Sequence, residues 1–271
     1  MQILKATPRD IPAVKELWRY MFDDGTAGFC DFVFEQCKAD DIYIVKNEEK
    51  VASMLISMAE MHYNGQKGFY LYSACTHPDY QGKGYMKQLV QYALADQASL
   101  GRSFCVLKPA DETLFSYWKN LGFDNVTQVR KAEVEIKKNI WTNAQFDIVT
   151  ASRFKVLRDK FCEEKFIHYS PKGYETFAYS HYISGGSTVE TEDGYGVYYV
   201  EGDTLRFVEL MATSTLNAVK LLQAARERTG CEKAVLYLSP QSNLFLGEGK
   251  QIDWCMIKGI SDTVYANLII E

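Results

Sequence analysis

The 271-residue chain lacks most of the features that settle a function at first sight. Its seven cysteines and four histidines are widely dispersed, and no Cys-x-x-Cys pair occurs. This spacing supports neither a zinc ribbon nor a disulfide framework, and free thiols in a reducing compartment fit better. No metal is expected. No run approaches the ~20 apolar residues of a membrane helix. The opening MQILKATPRDIPAVKELW scatters charges through itself and has no continuous apolar core, so it does not read as a signal peptide. A cytoplasmic protein without a membrane partner is expected. Positive charge is in short supply too. Thirty Lys and Arg against thirty-five Asp and Glu give a net charge of -5, which is no basic footprint for a nucleic acid. What the chain does have is core material: 47% hydrophobic and 24% charged residues, enough for one large or two modest domains.

Periodicity divides the first half into recognisable elements. Residues 2–6 read as a strand. Pro8 opens a helix carrying Ile11, Val14, Leu17, Trp18 and Met21, broken at Gly25, and a second helical stretch passes Phe32, Phe34 and Cys37. Residues 41–46, 51–63 and 68–76 read as an antiparallel meander, turned at residues 47–50 and at Asn64-Gly65. A helix with Met86, Leu89, Val90, Ala93, Leu94 and Leu100 on one stripe follows, stopped by Gly101. Then come a buried strand at 104–107 and a helix capped by Asp111, bearing Leu114, Phe115 and Trp118 and ended by Gly122. A last strand or two spans 126–136. The order βααβββαβαββ predicts a mixed α/β (α+β) sheet with one βαβ crossover.

Lys137-Lys138-Asn139 marks the expected boundary between a domain over residues 1–137 and a second over 138–271. The second reads as helices around 154–166, 174–182 and 216–229, with strand-like runs at 197–200, 205–211, 234–238 and 265–270. Its segment FVELMATSTLNAVKLLQAARERTGCEKAVLYLSP follows the same strand, helix, glycine turn, strand, proline order as LYSACTHPDYQGKGYMKQLVQYALADQASLGRSFCVLKP in the first. It lacks the glycine cluster, which suggests a tandem repeat whose second copy has lost a loop.

That cluster, Gln81-Gly82-Lys83-Gly84, sits at the mouth of a helix and is either a plain turn or a phosphate cradle. A Walker loop fails, because Gly84 rather than Ser or Thr follows Lys83 and no glycine lies five residues before Gly82. A dinucleotide fingerprint fails, because Lys87 stands where its last glycine belongs. A short loop of backbone N–H groups at a helix N-terminus, open to a pyrophosphate, satisfies the residues present.

Here the chain resembles the GCN5-related N-acetyltransferase (GNAT) family. Gln81, Gly84 and Met86 stand at the marked positions of Gln/Arg-x-x-Gly-x-Gly/Ala, with Met86 departing from the last. FSYWKNLGF, residues 115–123, looks like Phe-Tyr-x-x-x-Gly-Phe, and the element order of residues 2–136 agrees. An active first domain beside a degenerate GNAT-like second one is similar to the Eis-type branch. The resemblance implies acetyl-CoA as cosubstrate. Its pyrophosphate would sit on Gln81, Gly82, Lys83, Gly84, Tyr85 and Met86, its pantetheine along Ala74, Cys75 and Thr76, with Asp111 and Trp118 completing the set.

The chemistry implied is direct attack of a neutral amine on the thioester, with a backbone N–H near Ala74 or Cys75 polarising the carbonyl. Trp118 occupies the position of the family's usual tyrosine acid. Indole cannot act as an acid at neutral pH, so Tyr117 or water is left to protonate the thiolate. Glu60, beside His62, is a base candidate or a solvated edge residue, and Glu271 is a candidate through the terminal carboxylate that Eis-type enzymes use. Cys75 reads as core rather than as an acyl-cysteine, and His77 as a turn residue. Tyr70 and Tyr72 line a pocket or pack across strands. The expected function is N-acetylation of a small-molecule primary amine. A non-catalytic acyl-CoA sensor and a protein-amine acetyltransferase are the rivals. The second domain is expected to complete the acceptor pocket or to form a dimer contact, and a homodimer stays open.

Overall fold

In the computed structural model the described residues are 1–22, 28–138, 142–162 and 165–270. Gly25, Asn139 and Glu271, which the sequence reading invokes, lie outside them. The chain divides into one unit of Met1–Asp124 with Ile257–Ile260, and a second of Asn125–Met256 with Ser261–Glu271. The sequence boundary at residue 137 differs from this division by the strand at Asn125–Glu135, whose contacts lie in the second unit.

The first unit is a sheet in the order β1 (Gln2–Lys5), β2 (Ile42–Asn47), β3 (Lys50–Tyr63), β4 (Gln66–Thr76), β5 (Arg102–Leu107). Helices α1 (Ile11–Met21) and α2 (Phe29–Gln36) precede β2, and α3 (Tyr85–Ser99) links β4 to β5. The β2–β3–β4 meander forms as expected. Asn64 and Gly65 both take positive φ in the tight hairpin turn between β3 and β4. Helix α1 begins at Ile11 rather than at Pro8. Asp10 accepts hydrogen bonds from Thr7 N and Thr7 Oγ1, both 2.8 Å, and Pro12 occupies the first turn, where a missing N–H costs nothing. Helix α3 buries Leu89, Val90, Ala93 and Gln97, but Leu100 falls beyond its end and is exposed. Helix α4 (Leu114–Lys119) ends at Gly122, whose φ is 85°. The ammonium of Lys258 closes its C-terminal end, donating to Leu121 O at 3.2 Å.

Polar ties set the pose of α3. Tyr43 Oη donates to Asp96 Oδ2 at 2.6 Å, and Lys5 Nζ meets the same oxygen at 2.9 Å. Gln97, only 1% exposed, donates to Tyr43 Oη and accepts from Arg102. A helix held by satisfied buried polar groups has one register on its sheet, where an apolar stripe alone would tolerate sliding.

The second unit runs through β6 (Asn125–Glu135), β7 (Gln145–Phe146), α5 (Ala151–Phe161), β8 (His168–Tyr169), α6 (Pro171–Ile183), β9 (Ser187–Thr191), β10 (Gly194–Glu201), β11 (Thr204–Ala212), α7 (Thr215–Thr229), β12 (Lys233–Leu238) and β13 (Lys250–Lys258). Its sheet order is β13-β6-β12-β11-β10-β9-β7. Leu205, Phe207 and Leu210 of β11 pack with Ala218, Leu221 and Leu222 of α7 in its core. Two expectations change, and one strand appears where none was expected. Helix α5 stops at Phe161, and Phe166 instead forms a β-bridge to Tyr265. The run at 265–270 makes only that bridge and is no strand. Strand β13 carries no expectation from sequence, because Trp254 to Ile257 are buried on both faces and show no alternation. Among the described residues no helix is long and apolar enough to cross a membrane.

Candidate active site

The site grows out of the end of β4. Its parallel register with β5 starts at Lys67↔Arg102 and stops at Tyr70↔Val106, whereas its antiparallel register with β3 continues to Ser53↔Thr76. Leu71 to Thr76 therefore leave β5 while still held by β3. A bulge in β4 lies just beyond this departure. Between the pairs Ile56↔Tyr72 and Met54↔Cys75, β4 carries one residue more than β3, and Ser73 takes a φ of 50°. A left-handed serine in a strand is strained, and a partner holds it: buried Trp18 of α1 donates Nε1–H to Ser73 Oγ at 2.9 Å. From sequence Trp18 is a core residue and this tie is invisible, since YLYSACT shows ordinary alternation and no glycine marks the bulge.

After Thr76 the chain turns through Pro78–Tyr80 into the glycine cluster. Gln81 Nε2 donates back to Thr76 O at 3.0 Å, and Lys83 Nζ donates to Asp79 O at 2.8 Å while lying 5.0 Å from the Tyr80 ring centre. Gly82 and Gly84 have φ of 72° and 76°, and a side chain at Gly82 would meet nothing within 4 Å. Gly84 is the N-cap of α3 and supplies no capping side chain. Among the described residues no acceptor meets the N–H groups of Gly82 to Lys87; the first capping bond of the helix is Gln88 N to Gly84 O. These donors face an open, exposed loop with a lysine beside them, and partial positive charge at a helix start favours an anion. The residues thus fit a pyrophosphate, including at Met86, whose half-buried side chain leaves its amide free.

The other expected residues fall as follows. Ala74, Cys75 and Thr76 lie on the diverging end of β4, with Thr76 Oγ1 hydrogen-bonded to Ser53 Oγ at 2.8 Å. Burial pushes the Cys75 thiol up to about 12, so it stays protonated and unreactive at neutral pH. Asp111 is not the N-cap of α4; Thr113 holds that position without a side-chain capping bond. Asp111 accepts from Thr113 N at 2.8 Å and from its hydroxyl, and these bonds hold the exposed carboxylate below its ordinary range. Trp118 is buried, edge-on to Phe123 at 5.6 Å and to Tyr117 at 5.4 Å. Tyr117 is 37% exposed, and desolvation raises its phenol, keeping it a proton donor. His77 Nδ1 accepts from Asp79 N at 3.3 Å and caps the turn, as expected of a turn residue. Tyr70 and Tyr72 pack against each other at 6.0 Å.

Glu60 is not brought to the site. It pairs with Phe69 near the far hairpin, six residues or about 20 Å along the strand from Cys75. There its carboxylate takes Arg102 at 3.3 Å, His62 at 3.1 Å and Lys67 at 3.7 Å. Burial alone would raise its pKa, but Lys67 and Arg102 outweigh that and lower it. Held ionised by cations, Glu60 is a poor proton acceptor; it positions Arg102 on Gln97 of α3. Among the described residues no group of three or more His, Cys, Asp or Glu could hold a metal ion.

Against known proteins, residues 2–126 match the family model of the acetyltransferase (GNAT) domain. This stretch, a little under half of the chain, is thus similar to a GNAT acetyltransferase domain. No curated protein matches the chain at a significant level. Among solved structures, a GCN5-related N-acetyltransferase from Anabaena variabilis is similar at 15% identity and a TM-score of 0.72, over 95% of this chain and 72% of that one. One from Kribbella flavida aligns at 14% identity and 0.71, over 94% and 70%. Eis1 from Mycobacterium abscessus aligns at 12% and 0.68, over 96% and 74%. At such identities the likeness is one of fold. The GNAT-like domain has the mixed α/β architecture expected from its sequence.

Proposed function

We propose that this GNAT-like domain moves an acetyl group from acetyl-CoA to the primary amine of a small molecule. The observation that carries this reading is the row of unpartnered amides from Gly82 to Lys87, set directly after a strand end that leaves its parallel neighbour. In this reading those amides and Lys83 hold the pyrophosphate, and the free edge of Ala74 to Thr76 carries the pantetheine. The bulge held by Trp18 sets a backbone N–H of Ala74 or Cys75 against the thioester carbonyl, worth about 3 kcal/mol as an oxyanion donor. Tyr117, kept protonated by desolvation, supplies the proton to the leaving thiolate in place of the indole at Trp118. Direct attack is favoured over an acyl-cysteine because the Cys75 thiol is held neutral. The second unit is read as a GNAT-like partner domain that has lost its phosphate loop.

Turnover of acetyl-CoA with a panel of small primary amines and lysine peptides, for wild type and Tyr117→Phe, tests this. Acetylation of a small amine is expected, with kcat falling tenfold or so and KM for acetyl-CoA unchanged in the variant. Binding without turnover on any amine would favour the sensor. Turnover confined to peptides would favour a protein acceptor, and an unchanged kcat would remove Tyr117 from the chemistry.

A further inference from the structure

The second unit repeats the construction of the first and then closes it from within. Strand β11 pairs in parallel with β12 from Thr204↔Lys233 to Phe207↔Leu236 and no further, although β11 continues to Ala212. A bulge falls at the same place: β11 carries Val208 between the pairs Phe207↔Tyr198 and Glu209↔Val197. Two parallel strands thus part just short of a bulge, as β4 and β5 do. In this second cleft, however, a side chain bridges the gap. Asn267 Nδ2 donates to Val208 O on one side and to Tyr237 O, at 3.1 Å, on the other.

Asn267 arrives on a segment that is not a strand yet is buried along its whole length; Val264 to Ile270 are all under 9% exposed. Its backbone is held at several points: Tyr265 N donates to Lys165 O at 2.8 Å, Tyr265 O accepts from Ile167 N at 3.0 Å, and Ala266 O accepts from the Cys255 thiol at 3.3 Å. One of the amides at the helix start that would complete an anion site is also taken. Ser214 caps α7 through Asn217 N, and Thr215 Oγ1 accepts from Phe245 N. A cavity of about 500 Å³ remains at this end of the cleft, and none of the residues lining it is charged.

We propose that residues 264–270 form a built-in strap that closes the second cleft, with the Asn267 amide tying β11 to β12 in the place a ligand would take. An amide with two N–H donors suits two facing carbonyls whose strands no longer pair with each other. The strap holds residues 264–270 in place and fills the gap between β11 and β12 that the pantetheine of a second acyl-CoA would need. One acetyl-CoA per chain is therefore expected, a consequence that rests on the function proposed above; the strap itself does not.

Hydrogen exchange on the full-length chain tests the strap, with calorimetry for the count of acetyl-CoA. In wild type the amides of 264–270 are expected to exchange as slowly as those of β11 and β12. Asn267→Asp keeps the volume but turns two donors into acceptors facing carbonyls. It should speed exchange of 264–270 by about tenfold or more while leaving β2 to β4 unchanged. Wild-type exchange at 264–270 as fast as in residues 240–249 would overturn the strap even if the variant does not fold. So would a folded variant within about twofold of wild type. Two acetyl-CoA per chain would overturn the closure. Binding of none would count against the first domain's reading and leave the exchange result to decide the strap.

Discussion

Replacing Gly84 by glutamate and, separately, by glutamine isolates charge from shape at the mouth of α3. Kept at its φ of 76°, a glutamate or glutamine at Gly84 is strained by about 1–2 kcal/mol. Space is not the obstacle, since the nearest atom to an added Cβ is Gln88 Nε2 at 4.0 Å. Both variants should therefore lose the same stability, lowering the melting temperature by about 2–8 °C. Only glutamate adds charge. A carboxylate about 5 Å from one phosphate charge is repelled by about 3 kcal/mol at an effective dielectric of about 20, and by about 0.8 kcal/mol in bulk water. The loop is exposed, so the lower part of that range applies: about 1–2 kcal/mol, or about 5–30-fold in affinity. Calorimetry with acetyl-CoA should find the glutamate variant weaker than the glutamine variant by this factor. The gap should narrow as salt rises from roughly 0.05 to 0.5 M, where the screening length shrinks severalfold. Equal affinities for the two variants would refute the reasoning, and the glycine cluster would then be a turn and nothing more.

Three further outcomes follow from particular side chains. Trp18→Phe keeps most of the buried ring but removes the donor to Ser73 Oγ, at a cost of about 1 kcal/mol and about 2–4 °C in melting temperature. Turnover should fall more than acetyl-CoA affinity, and a variant that melts like wild type would show that the bulge needs no such tie. Glu60 has a folded-state pKa below its ordinary 4.5. Its stabilising contribution is therefore complete above about pH 4.5 and is lost as pH falls through the lower, folded value. Glu60→Gln should flatten that acid limb in a pH series of melting curves and leave the pH–rate profile unaltered, whereas loss of a limb in the rate profile would restore Glu60 as the base. Cys75→Ser should retain transfer within about threefold, because the thiol it replaces is neutral at working pH. Complete loss of turnover in a folded Cys75→Ser protein would point to an acyl-enzyme.

The elements that periodicity reveals were legible because their faces differ: the meander alternates, α3 carries a stripe, and glycines with positive φ mark the turns. What stayed hidden depends on partners distant in sequence. Glu60 looked like a free carboxylate because Arg102, 42 residues on, is invisible from its own strand. The bulge at Ser73 left no glycine and so no mark. VYANLII near the C-terminus has the composition of a strand, but its polar groups pair with irregular backbone and with a thiol, and composition does not distinguish the two. The glycine cluster was read correctly as a helix entry with free amides because backbone geometry there is dictated by residues inside the loop itself.

The two units also show why so small a change of sequence decides whether a helix start can bind an anion. Helix α3 is entered through Gly84, which takes a left-handed conformation and has no side chain to accept a hydrogen bond, so the first-turn amides stay free. Helix α7 is entered through Ser214 in an extended conformation, and its hydroxyl accepts from Asn217 N. A serine cap stabilises a helix by about 1 kcal/mol over alanine but by only a few tenths over glycine, so α3 forgoes a small amount by starting with an uncapped glycine. Forgoing a cap at an exposed helix start weakens the fold locally and leaves donors with only water to satisfy them. That is a sensible arrangement where a ligand's oxygens complete the cap, and a wasteful one in a turn. By the same argument Gly84→Ser should not disrupt α3, since serine is a good cap residue. It should instead reshape the loop towards the extended conformation seen at Ser214. Helix stability should then hold or rise while acetyl-CoA affinity falls, and a loss of stability with affinity intact would break the link between the uncapped helix and the ligand.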